Sequence, residues 1–227
     1  MSFGKNLQFL RKMHRGMTQE ELAEKMNVSR QTVSKWEMDL AFPEMEKAVA
    51  LGRLFSCSLD DLIVNDIDLD SKAYTALRVE TVPGFRYIPY PVVSPEPEDD
   101  AIGHVRRLAA SMGVPEPEII GWDFPVVSQE QINVYHLHGY AAAWILPEGC
   151  AAQPAEQQQP GKYAIITIRD PFSDPFRLIP NGYKTLMRYM ESNGLAHRET
   201  AGRLPCFERS YERDGVGYMD VAIFVAE

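Results

Sequence analysis

A chain of 227 residues, 45% apolar and 24% charged, is long enough to bury a real core as one large or two small domains. Its net charge of -9 argues against nonspecific polyanion binding by the chain as a whole, and no apolar run approaches the roughly 18 residues of a membrane span. Cys57, Cys150 and Cys206 are far apart and match no disulfide or metal spacing, and "MSFGKNLQFLRKMHRGM" lacks the apolar region of a signal peptide, so a reducing cytoplasm is expected.

The charge is unevenly spread. Residues 1–66 hold 9 Lys/Arg and 10 Asp/Glu, whereas residues 67–227 hold 14 and 22. Before position 36 there are 7 basic residues against 3 acidic ones, so a positive face is local to the amino-terminal end. There, the spacing of Phe3, Leu7 and Leu10 predicts a helix ended by Gly16. Thr18-Gln-Glu-Glu21 is a capping box that starts a second helix, with Leu22, Ala23 and Met26 inward. After a turn at Asn27-Val28, Ser29 caps a third helix whose apolar pair is Val33 and Trp36. Pro43 is expected to open a fourth, and Ser58 to cap a short fifth. Five short helices predict a compact all-α domain over residues 1–66.

Two helices joined by a tight turn describe a helix-turn-helix. Its second helix exposes Arg30, Gln31, Thr32 and Lys35. Gln31 suits adenine, Arg30 or Lys35 suits guanine, and Thr32 suits a thymine methyl. Gln19, at the start of the preceding helix, is placed for phosphate, and Ser29 completes the expected DNA-facing set. The segment "LRKMHRGMTQEELAEKMNVSRQTVSKWEMDLAFPEMEKAVALGRLFSCSLDDLI" resembles the Cro/repressor-type, xenobiotic-response-element helix-turn-helix family. The resemblance implies that Arg30, Gln31, Thr32 and Lys35 face the major groove of a double-stranded operator. It implies a homodimer on two half-sites as well. The family's glycine after the recognition helix is replaced by Asp39, which tolerates the left-handed conformation the turn needs.

Residues 67–83 read as an acidic linker with a helical turn or two around Ser71–Leu77. From 84 to 227 the pattern is α+β, and a strand, helix, strand, strand order occurs twice. The first copy places strands at 85–93, 118–124 and 132–146 around a helix at 99–113. The second places strands at 163–169, 206–212 and 218–226 around a helix at 179–194. Such a duplicated βαββ domain, with two helices on a curved antiparallel sheet, is expected to form a ligand groove between its halves. "IIGWDFP", "HGYAAAWIL" and "CFERSYERDGVGYMDVAIFV" resemble the GyrI-like effector-binding domain. That resemblance implies a sensor of lipophilic, often cationic molecules. It puts Glu208 at the pocket floor, with Trp122, Tyr140, Tyr183 and Tyr218 as the surrounding rings.

The family's second carboxylate after Gly-Tyr is replaced by Ala141-Ala142-Ala143, which predicts a roomier, less acidic pocket in which Glu208 carries most of the charge. His136 and His138 would share a strand face but lack a third ligand, so no metal, cofactor or catalytic residue is assigned. The leading expectation is a ligand-responsive transcription regulator that is not an enzyme. The alternatives are a hydrolase using Glu208 and a protein-binding module.

Overall fold

The computed structural model describes residues 3–14, 16–55, 57–64, 73–124 and 128–226. The chain divides into two compact units, Met1–Arg78 with Ile166–Ala196, and Val79–Ile165 with His197–Ala226.

In the first unit, α1 (Phe3–Met13), α2 (Gln19–Met26), α3 (Arg30–Glu37) and α4 (Met45–Leu54) are followed by a π-type turn at Asp60–Val64. The predicted caps form. The Thr18 hydroxyl accepts from the Glu21 backbone while Glu21 reaches back to the Thr18 N–H, and Ser29 accepts from Thr32. Asp39 adopts φ +56°, and its carboxylate accepts a 2.7 Å bond from the Gly4 N–H. Pro43 lies before α4 rather than in its first turn, because Glu44 is the N-cap. Leu7, Leu22, Val33, Leu51 and Leu62 are completely buried in one helical core.

A long helix, α7 (Pro175–Ser192), belongs to the same unit. Arg188 on α7 pairs with Asp61 at 2.6 Å, and the Ser192 hydroxyl donates to the Phe55 carbonyl at 3.1 Å. Cys57 sits beside that pair, and burial pushes its thiol up to about 11.

The strands are β1 (Tyr74–Val82), β2 (Phe85–Ser94), β3 (Glu118–Asp123), β4 (His138–Ile145), β5 (Glu156–Gln158), β6 (Gly161–Arg169), β7 (Cys206–Arg213) and β8 (Val216–Phe224), with α5 (Pro97–Ser111) and α6 (Gln129–Asn133) between them. Their order in the sheet is β1-β6-β8-β7-β3-β4-β2-β5. The two βαββ copies are legible in it as β6-β8-β7 and its mirror β3-β4-β2. Their middle strands meet at β7 and β3, where Gly121 pairs with Glu208. Pairing is antiparallel among β2, β3, β4, β5, β7 and β8.

Two expectations are corrected. Residues 74–82 form strand β1 where a helical turn at 71–77 and a linker to 83 were expected, because Thr75, Val79, Thr81 and Val82 favour extended backbone. Residues 67–72 lie outside the described residues. The strand expected over 132–146 starts only at His138, because Ser128 and Gln131 form a capping box that holds Gln129–Asn133 in α6. His136 therefore stands in a turn at φ +52°, not beside His138 on a strand.

In the second unit the sheet has two covered faces. One packs Tyr140, Ala142 and Trp144 against Ala101, Val105 and Ala109 of α5. The other carries Tyr87, Ile120, Tyr163, Phe207 and Phe224. Ala141, Ala142 and Ala143 are at most 2% exposed. Ala142 is small enough to let α5 seat closely on β4, so these alanines fill the core where a roomier pocket was expected. No helix among the described residues is long and apolar enough to cross a membrane.

Candidate DNA-reading helix and effector site

The third helix owes its position to a buried ion pair behind it. Arg11 of α1 reaches Glu37 at the end of α3 with its Nε at 2.5 Å and an Nη at 3.1 Å. The two side chains are 9% and 2% exposed. Gln19 completes the arrangement by donating to Glu37 at 2.8 Å. Burial pushes the Glu37 carboxyl up, but the bonds from Arg11 and Gln19 and the Arg11 charge more than reverse this, leaving it below the usual range. With Val33 and Trp36 in the core, the opposite side of α3 turns outward.

Arg30, Gln31 and Lys35 are exposed there. Arg30 rests against Glu20 at 2.8 Å, with both side chains more than 60% exposed. Ser29 and Thr32 bond to each other through their hydroxyls at 2.9 Å, in addition to the cap. The amide of Gln19, expected on phosphate, is turned back to Glu37 and serves to hold α2 to α3.

The second candidate site forms where β3 meets β7. Glu208 pairs with Gly121, and register places Tyr140 and Asp123 on the same face. The Tyr140 ring crosses Gly121 so closely that a Cβ there would lie 1.9 Å from the hydroxyl oxygen. Burial holds the Tyr140 phenol well above its ordinary range, and the charges of Glu208, Glu98 and Asp123 push it further. Burial raises the Glu98 carboxyl, helped by Asp99 and Asp123. Burial raises Asp123 as well, and His138 opposes that shift. Cys206 is raised by burial and then by Glu208 and Asp123. Glu98 and Asp123 are exposed and Glu208 is partly buried, so an acidic patch stands at the surface beside the buried Tyr140.

The Helix-turn-helix family model matches residues 7–62. An HTH-type transcriptional regulator of Archaeoglobus fulgidus is 39% identical over 51 residues, which cover 22% of this chain and 73% of that protein. The chain belongs to the helix-turn-helix family. The HTH-type transcriptional activator BcrR of Enterococcus faecalis is 36% identical over 88 residues, 39% of this chain. That match spans only 42% of BcrR, less than half its length. Among solved structures, EcmrR in a cryo-EM complex with DNA is 8% identical, with a TM-score of 0.46 over 92% of this chain and 99% of that one.

In this helix-turn-helix protein the five expected ligand residues do not share one face. Tyr140 and Glu208 lie together. Trp122 points to the opposite face, where it packs edge-on to Tyr87 at 6.3 Å. Tyr218 is on that opposite face too, stacked on its register partner Tyr211 at 5.7 Å. Strand alternation is the reason, since Trp122 follows Gly121 and Tyr218 precedes Met219, which is buried on the Glu208 side. Tyr183 belongs to α7 of the other unit.

Glu98 and Asp123, whose carboxyls stand near Tyr140, were not singled out in the sequence. Asp123 ends β3 two residues after Gly121, a spacing that puts it on the same face and was available as a signal. Glu98 left no comparable signal, because an acidic helix start is explained by the helix dipole alone.

Proposed function

We propose that this helix-turn-helix protein is a DNA-binding transcription regulator whose second unit senses a small aromatic, cationic molecule. The observation that carries the reading is α3, which offers Arg30, Gln31 and Lys35 to solvent while Arg11, Glu37 and Trp36 anchor its other side. Residues 1–66 are assigned to the operator, and within residues 84–227 the second unit, without α7, is assigned to the effector. Reading two half-sites calls for a homodimer, and the work is placed in the cytoplasm with the DNA. Tyr140 and Glu208 are the effector contacts, the carboxylate for charge and the ring for cation–π attraction. Binding alone, without turnover, is required of them. An effector switches such a protein only if it binds one dimer geometry better than the other.

The test is selection of binding sequences from a random duplex pool by the full-length protein, repeated with Arg30→Ala and Gln31→Ala. Each variant should lose about 1–3 kcal/mol of discrimination at one base position. Unchanged selectivity in both variants would remove α3 as the reading element.

A further inference from the structure

Three polar residues follow the Thr18 cap, and each has a different partner. Gln19 donates to Glu37 at 2.8 Å and belongs to the buried anchor behind α3. Glu21 closes the capping box on Thr18. Glu20, in the first turn of α2, meets Arg30 at the first position of α3. Its Oε1 lies 2.8 Å from Arg30 Nε, and the two side chains are 61% and 63% exposed. An ion pair so open to water adds little to stability. A carboxylate on a surface that meets DNA also repels the phosphates. Neither stability nor raw affinity for DNA accounts for the contact.

What the contact does fix is the direction of the guanidinium. An arginine without a partner on a helix surface samples many rotamers and bonds phosphate as readily as base. A carboxylate held at Nε engages the side of the fork. It leaves the end, where the two Nη groups project in parallel, for a second pair of acceptors. Guanine O6 and N7 are such a pair. Arg30 also stands at the N-terminal end of α3, the part of a recognition helix that reaches base edges.

We propose that Glu20 is a positioning residue for sequence reading, holding Arg30 side-on so that the end of its guanidinium donates to guanine. This rests on the reading of α3 as the helix that contacts DNA. Glu20 itself touches no base. It also disfavours every complex in which Arg30 has left it for a phosphate, because the stranded carboxylate then faces the DNA backbone. Glu20 therefore lowers affinity for DNA in general and raises the preference for one base pair.

Site selection with the full-length wild-type protein and with Arg30→Ala identifies the base pair that Arg30 reads. Glu20→Ala should cut the guanine preference at that base pair by about fivefold and leave the other positions unchanged. On random duplex it should bind more tightly, with a salt dependence steeper by about one counterion. Glu20→Gln, which keeps a neutral acceptor for Nε, should recover part of the guanine preference and retain the steeper salt dependence. With Arg30 already replaced by Ala, Glu20→Ala should have no effect at that base pair. An unchanged guanine preference in Glu20→Ala would overturn the positioning role, whatever the salt dependence does. A loss spread equally over all positions, or one that persists without Arg30, would overturn it too. If Arg30→Ala loses no base preference, or loses one for a base other than guanine, Arg30 is not the guanine reader and the proposal falls with it. The melting temperature of Glu20→Ala should stay within about 2 °C of wild type, which separates these outcomes from misfolding.

Discussion

A Cβ built on Gly121 would lie 1.9 Å from the Tyr140 hydroxyl and 2.5 Å from its ring. Gly121→Ala must therefore displace a buried tyrosine, at a cost of about 1–3 kcal/mol in stability. Chemical denaturation measures that cost, and Gly121→Ala should bind an aromatic cation more weakly than the wild-type protein does. Tyr140→Phe should keep the packing, lose only the hydroxyl, and change affinity less. At this scale the strand that carries Glu208 was legible from its alternation, while a pocket role for Glu208 came only from the family resemblance. Tyr140 reaches the same face as Glu208 through its register with Asp123, which strand pairing and not the local sequence decides. Trp122 and Tyr218 were misplaced because period-2 alternation sends neighbours to opposite faces, and the face of an isolated strand is undefined until its partners are known. Glu98 was illegible because it comes from a helix that meets β4 only in three dimensions.

Among the elements, α3 depends most on a single contact. Removing Arg11 leaves the Glu37 carboxylate buried with the neutral amides of Gln19 and Gln8 beside it and no counter-charge. Arg11→Ala should cost about 3–5 kcal/mol, because an unpartnered buried charge is worse than none. Replacing both partners, as Arg11→Met with Glu37→Leu, should recover most of the loss, and thermal unfolding of the two variants tests that difference. DNA affinity need not recover with stability, since Gln19 would then have no Glu37 to hold it. The caps and helix spacings of this segment were written in consecutive residues, which is why the first four helices were read with small boundary errors. The pair behind α3 joins positions 26 apart, and no local pattern announces it.

A second element-scale joint is α7. Arg188 and Ser192 bind Asp61 and Phe55 at the end of the helical core. Arg188→Ala should lower the melting temperature modestly, by about 2–4 °C for each kcal/mol lost. Replacement of Arg188 by Lys should restore only part of it, because the ammonium lacks the guanidinium fork.

For the whole molecule, two sets of carboxylates pull stability in opposite directions as pH changes. Glu37 is held below its ordinary range, so its contribution is present at neutral pH and is lost as pH falls through its folded value. Glu98 and Asp123 are held above theirs, so their contribution is greatest in acid and is lost as pH rises through their folded values. The unliganded protein should therefore be most stable at mildly acid pH. The Glu98→Gln, Asp123→Asn double variant should flatten the decline above the ordinary carboxylate range and leave the acid limb in place. Melting curves across that range decide it, and a decline that survives unchanged in the double variant would assign it to other groups. The duplicated order of elements was legible from the repeat of strand, helix, strand, strand. The mirror order of the sheet was not, because pairing between β3 and β7 joins residues that are far apart in sequence.

The units interleave along the chain, since residues 166–196 return to the first after residues 79–165 have built most of the second. No single cut in the polypeptide yields both units whole. Strand β1 crosses the division at Arg78–Val79, and helix α7 returns the chain to the first unit. Swapping in a foreign helix-turn-helix at residue 66 would discard the Asp61 partner of Arg188. Chimeras of this protein should therefore be grafted by surface residues of α3 rather than by domain.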